Sequence, residues 1–176
     1  MSEHRPSSVH HHHRKDAPAQ VPTVVITVSD SRTLETDTGG ALVAELLGVA
    51  DHPVVAREIV PDEPTAIETA LAAALDHPEA RAVILTGGTG VAPRDMTPDT
   101  VEPLLDRLVP GFGELFRVLS YEDIGSAALL SRASAGLVRG CVVFVIPGSR
   151  GAVRLAMEKL IVPEIGHLAG EATKTR

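Results

Sequence analysis

Three glycines in five residues, Thr86-Gly87-Gly88-Thr89-Gly90, follow the apolar run Ala82-Val83-Ile84-Leu85. Glycines let a backbone come close to a ligand, and their N–H groups can cradle an anion. The same residues also make a plain strand-to-loop turn. Because the chain has no asparagine, glycine must fill most left-handed positions, so on this loop alone both readings stand. No lysine follows in the Walker pattern and no Gly-x-Gly-x-x-Gly occurs, which excludes a P-loop and a dinucleotide fingerprint. The continuation Ala92-Pro93-Arg94-Asp95-Met96-Thr97-Pro98-Asp99 adds an arginine and a carboxylate at the end of the loop. Asp99 falls in the first turn of an expected helix and is explained by the helix dipole. Asp95 precedes the expected cap and has no such structural reason. Asp62, within Pro61-Asp62-Glu63-Pro64, can cap the next helix and can equally be the second carboxylate of a pair. Two carboxylates facing an anion cradle repel the substrate unless a cation bridges them. Mg²⁺ suits that role, because it takes oxygen ligands and keeps several waters. The expected chemistry is phosphoryl or nucleotidyl transfer.

These residues need a scaffold that brings separate loops together. Val24-Val25-Ile26-Thr27-Val28 reads as a strand ending in the polar turn Ser29-Asp30-Ser31-Arg32, and Val54 to Ile59 and Ala82 to Leu85 read as the next two. Helices are expected from Gly40 to Leu47, after Pro64, from Asp99 to Leu108 behind a Thr97 cap, from Glu114 to Tyr121, from Ser126 to Leu130, and from Gly151 to Leu160. Pro110-Gly111-Phe112-Gly113 reads as a break. Segments 134–138 and 142–146 flank Arg139-Gly140, a two-residue hairpin turn. Strands alternating with helices predict an α/β fold with a doubly wound, mostly parallel sheet, helices on both faces and a late antiparallel hairpin strand. Ligands of such sheets bind beyond the carboxyl ends of the strands. The loops at Ser29–Arg32, Pro61–Glu63, Thr86–Asp95 and Pro147–Arg150 should therefore meet. In the last of these, Pro147-Gly148-Ser149 precedes a helix and reads either as an anion site or as ordinary capping by Ser149.

Composition narrows the partners. Aromatics make up 2% of the 176 residues and the net charge is −7, so stacking platforms and clustered cations for nucleic acid are both missing. Residues 1–20 read as a disordered leader, with the run His10 to His13 taken as an added tag or adventitious metal binder, and 21–176 as a single domain. Cys141, the one cysteine, lies in an apolar run and reads as a small buried side chain. No apolar stretch approaches the ~20 residues that span a bilayer. No membrane partner and a reducing cytoplasm are expected.

Several separate pieces, in order, resemble the MoaB/MogA family of molybdenum cofactor biosynthesis proteins: Thr86 to Gly90, Arg94 to Asp99, Pro110-Gly111-Phe112-Gly113-Glu114 and Pro147-Gly148-Ser149. The stretch from Phe116 to Gly125, followed by Leu130-Ser131-Arg132-Ala133, is similar to the MoaB branch in particular. The resemblance implies a molybdopterin-binding α/β fold assembled as a homotrimer or a homohexamer of two trimers. It also implies molybdopterin adenylyltransferase activity, joining AMP from ATP to the terminal phosphate of molybdopterin with release of pyrophosphate. By position, Asp62 and Asp95 match the two catalytic aspartates and would hold Mg²⁺. Thr86, Gly87, Gly88, Thr89 and Gly90 match the substrate loop, and Pro147, Gly148 and Ser149 the second binding loop. Arg94 and Arg132 are candidate phosphate forks. Some members of the branch lack the first aspartate in its Pro-Asp-Glu setting, and its presence here favours an active protein. The alternative is a molybdopterin-binding carrier or assembly protein without turnover.

Overall fold

The computed structural model describes residues 17–174. Six strands form one sheet in the order β2-β1-β3-β6-β5-β4: β1 (Thr23–Val28), β2 (Val54–Val60), β3 (Ala82–Thr86), β4 (Arg107–Leu108), β5 (Ser134–Val138) and β6 (Cys141–Ile146). β2, β1, β3 and β6 run parallel, while β5 is antiparallel to β6 and β4 antiparallel to β5. The chain leaves β1 for β2 on one side and returns to β3 on the other. The crevice at the carboxyl ends of β1 and β3 is thus the switch point where such sheets bind ligands.

β1, β3 and β6 read as apolar runs because both faces are covered. Side chains alternate across the sheet. Val25, Ile84 and Phe144 form a row facing α1 (Thr38–Val49), α4 (Pro110–Ile124), α5 (Arg150–Ala156) and α6 (Val162–Thr173). Val24, Val83 and Val143 face α2 (Pro64–Asp76) and α3 (Thr97–Val101). With few rings available, branched aliphatics fill both layers. Phe112 and Phe144 make a tilted pair with centroids 5.3 Å apart, a geometry the ring quadrupoles favour. The β5–β6 turn has positive φ at both Arg139 (52°) and Gly140 (79°), the tight hairpin expected from the sequence.

Four helix boundaries differ from expectation, each for a local reason. α3 ends at Val101 and passes into a 3₁₀ turn, Glu102–Leu104. Pro103 cannot donate an intrahelical bond, so Arg107 and Leu108 are free to pair with β5 instead. α4 begins at Pro110 and not at Glu114, since proline suits a first helical turn. Gly113 fits there because a Cβ would stand 2.5 Å from the Ala133 carbonyl. The piece expected at Ser126–Leu130 is a 3₁₀ turn, Gly125–Leu130. The last helix continues past Leu160 through a π turn, Met157–Ile161, into α6. That wider turn accommodates Pro163, which otherwise reads as a stop. Residues 1–16 of the expected leader, with the histidine run, lie outside the described residues. Gln20 donates from Nε2 to Asp51 at 2.9 Å.

Asp37 ties α1 to the sheet. Its Oδ1 caps the helix by accepting from the Gly40 N–H at 2.9 Å, and its Oδ2 accepts from the Thr27 hydroxyl and from Arg57 Nη2, both at 2.7 Å. Burial pushes this carboxyl up, but the Arg57 bond, the Gly40 N–H, the Thr27 hydroxyl and the Arg57 charge together hold it below the ordinary carboxylate range. A depressed pKa stabilises the fold above the unfolded-state value, and that stabilisation is lost as pH falls through the folded-state value. Asp37→Ala removes the cap and leaves Arg57 unpaired, and should cost about 3–5 kcal/mol near neutral pH. In urea unfolding, the gap from wild type should hold down to the ordinary aspartate range and close only at more acid pH.

Candidate functional site

The loops after β1, β2, β3 and β6 do converge, and backbone bonds stitch them together. Ser29 N–H donates to the Val60 carbonyl at 2.8 Å, and Gly87 N–H to the Ile146 carbonyl at 3.0 Å. The Thr86 hydroxyl reaches the Pro147 carbonyl at 3.3 Å, so this buried side chain links two loops. Gly148 packs on Gly87, and a Cβ on Gly39, at the start of α1, would come 2.8 Å from the Gly148 carbonyl oxygen. The first turn of α1 therefore closes one wall of the site.

At its centre is Gly88, with φ +62°. A Cβ there would stand 2.2 Å from Thr97 Oγ1 and 2.6 Å from Asp62 Oδ2, so only glycine lets three segments meet. Asp62 does not cap α2. That helix starts after Glu63 without a side-chain cap, while Asp62 turns into the cleft and its Oδ1 accepts from the Met96 N–H at 3.0 Å. The Asp62 N–H donates to Asp30 Oδ1 at 3.0 Å, and Asp30 also forms an ion pair with Arg94. Asp30 thus clasps the two loops that carry Asp62 and Asp95.

Asp95 does have a local structural partner, contrary to expectation. Its Oδ2 accepts from the Ala92 N–H at 2.9 Å, and it lies against Gly90, where a Cβ would approach to 2.5 Å. Arg132 braces the same loop: Nε donates to the Gly90 carbonyl at 2.8 Å, Nη1 to Asp99 at 2.6 Å, and Nη2 to the Asp95 carbonyl. Thr89 is buried within the loop. Ser149 is the N-cap of α5, accepting from the Ala152 N–H at 3.3 Å.

Burial raises the Asp62 carboxyl above the ordinary aspartate range. The Met96 N–H pulls it down, the charge of Asp95 pushes it up again, and Arg132 offsets part of that push. A carboxylate raised by a second carboxylate beside a glycine loop can take a counter-ion together with an anion held on the loop. Among the described residues no set of three or more His, Cys, Asp or Glu could hold a metal.

A model of the "Probable molybdopterin binding domain" matches residues 24–167. The chain belongs to this molybdopterin-binding family. Molybdenum cofactor biosynthesis protein B of Bacillus subtilis is 50% identical over 165 residues, covering 93% of this chain and 97% of that protein. A crystal structure of a molybdenum cofactor biosynthesis protein B superposes with a TM-score of 0.88 at 49% identity, over 90% of this chain and 99% of that one. The tungsten cofactor synthesizing protein MoaB from Pyrococcus furiosus superposes at 0.81 with 38% identity, over 90% and 100%. The molybdopterin-binding domain here thus has the MoaB-like fold, and these relatives place it in molybdenum cofactor biosynthesis.

Three contributors escape a reading of the sequence: Asp30, Asp37 and the hydroxyl of Thr97. Asp30 pairs with the Asp62 N–H, 32 residues away, and Asp37, although it caps α1 locally, takes its charge partner Arg57 from 20 residues away, so spacing carries no signal for either pairing. Thr97 reads as a helix cap, but Met96 holds that position.

Asp62→Asn keeps the acceptor for Met96 and removes the charge. A raised folded-state pKa means that ionised Asp62 opposes folding above that pKa and is harmless below the unfolded value. The variant should therefore melt roughly 1–3 °C above wild type near neutral pH. Calorimetry should show the difference vanish as pH falls through the aspartate range.

Proposed function

We propose that this chain is a molybdopterin adenylyltransferase, in which a terminal phosphate oxygen of molybdopterin bonds to the α-phosphorus of ATP and the α–β bridging bond breaks to release pyrophosphate. The observation that carries this reading is Asp62, drawn away from helix capping and held against the bare backbone of Gly88 with Asp95 near enough to raise its pKa. The family match supports the pterin, and the loop chemistry supports phosphate.

Mg²⁺ fits the residues present. Asp62 Oδ2 has no hydrogen-bond partner among the described residues, and a cation would relieve the repulsion between the two aspartates. Two carboxylates without further protein ligands suit an ion that completes its shell with phosphate and water. When bound, such an ion neutralises charge on the phosphates and on the leaving pyrophosphate. Asp62 and Asp95 would hold it, and the N–H groups of the glycine loop would orient the phosphates. Arg94 can exchange its partner Asp30 for an anion, since so exposed a pair holds weakly. Positioning and fixed dipoles carry the rate, with little covalent work for the protein. A hollow of about 230 Å³ lies against the Asp95 loop, lined by Ala92, Pro93, Asp95, Met96, Asp99 and Arg132.

One observation favours the carrier alternative: the Asp95 carboxylate is already engaged by Ala92 within its own loop. Incubation with molybdopterin, ATP and Mg²⁺ decides between them, with adenylyl-molybdopterin and pyrophosphate as the expected products. Retained molybdopterin binding with no product would establish the carrier. Asp95→Asn preserves the acceptor for Ala92, so it tests charge alone; turnover should fall on the order of 10²-fold, and unchanged turnover would remove Asp95 from the chemistry.

We also propose a homotrimer or homohexamer working in the cytoplasm. Leu115, Val118, Tyr121 and Ile124 of α4, with Leu129 and Leu130 beyond it, are all more than half exposed, an apolar surface of the kind that oligomers cover. Among the described residues no helix is long and apolar enough to cross a membrane. Val118→Asp should shift the sedimentation coefficient to that of a monomer and leave the circular dichroism spectrum unchanged.

A further inference from the structure

Thr97 is fully buried, and its hydroxyl has no hydrogen-bond partner among the described residues. An orphaned buried hydroxyl is unfavourable, and valine would fill the same volume without that penalty. The hydroxyl lies over Gly88, on the Cβ-less side of the loop, where Asp62 Oδ2 also lies. Oδ1 of Asp62 is occupied by the Met96 N–H, and the Thr97 N–H donates to the Gly88 carbonyl at 3.1 Å. An unused donor and an unused carboxylate oxygen thus face the same Cα.

We propose that Thr97 is a positioning residue for Asp62: its hydroxyl donates to Oδ2 when the carboxylate takes up a divalent cation. With Oδ1 anchored by Met96 and Oδ2 by Thr97, the carboxylate plane is fixed, and each oxygen keeps a lone pair for the ion. Donors to a ligating carboxylate orient it, and their loss weakens metal affinity. The bare Cα of Gly88 is what allows the two groups to approach. This inference rests on the reading of Asp62 as a cation ligand in phosphate chemistry.

The test is Mn²⁺ binding by the full chain, followed by electron paramagnetic resonance, for wild type, Thr97→Val and Thr97→Ser. Thr97→Val should melt at or above the wild-type temperature and bind Mn²⁺ about tenfold or more weakly, whereas Thr97→Ser should stay within about threefold of wild type. If valine perturbs folding, Thr97→Ala against Thr97→Ser separates the hydroxyl from side-chain shape. Wild-type affinity in the valine variant, or an equal loss in the serine variant, overturns the proposal, as does a wild-type protein that binds no Mn²⁺. Adenylylation by the wild type with Mn²⁺ binding unmoved by valine sinks the role of Thr97 and leaves the enzyme standing. Weakened Mn²⁺ binding with no adenylylation in the wild type sinks the enzyme and leaves Thr97 in its role.

Discussion

β1, β3 and β6 carry apolar side chains on both faces, so any polar group on these strands has to find its partners at a strand end. At their amino ends the chain arrives through prolines and short turns. At the carboxyl ends the loops of β1, β2, β3 and β6 gather because four neighbouring strands point the same way. The sheet needs helices on both layers to stay dry, and the reversal of strand order between β1 and β3 opens the crevice between those layers. Every candidate site residue stands on the rim of that crevice or in the loops that line it.

Within the crevice, close packing sets the geometry. The backbone at Gly87 and Gly88 passes between the Val28 carbonyl on one side and Asp62 with Thr97 on the other, with gaps that no side chain fits. A loop held this tightly presents its N–H groups in a fixed array, which is what an anion needs from a backbone. The bracing continues outward. Arg132 grips the carbonyls of Gly90 and Asp95, so an arginine that reads as a phosphate ligand is also what keeps the glycine loop in shape. Asp30 does the same for Asp62 and Arg94.

The parts of this that are legible in the sequence are those with a local cause. Strands buried on both faces appear as apolar runs, and the positive φ of the hairpin appears as Arg139-Gly140. The convergence of the loops follows from the strand directions alone, and Asp62 and Asp95 stand out because their settings, Pro-Asp-Glu and Arg-Asp-Met-Thr-Pro, also carry the family resemblance. Local signals mislead where a proline serves two purposes. Pro110 starts α4 within what reads as a break, and Pro163 is carried by a π turn within what reads as an end. The roles of Asp30 and Thr97, and the pairing of Asp37 with Arg57, depend on partners distant in the sequence, and no spacing encodes them.

Asp37 and Asp62 show how environment separates two carboxylates of the same chain. Asp37 is the more buried, yet it accepts from a hydroxyl, a guanidinium and a helix N–H, and its charge is favoured. Asp62 has one N–H, a neighbouring aspartate and an orphaned hydroxyl that it does not reach, and its charge is disfavoured. The unmet valences of Asp62 and Thr97 lie on the same side of Gly88, at the crevice where the sheet directs its ligands. The contrast with Asp37, whose carboxylate is satisfied on both oxygens, is the physical ground for the cation proposed at Asp62.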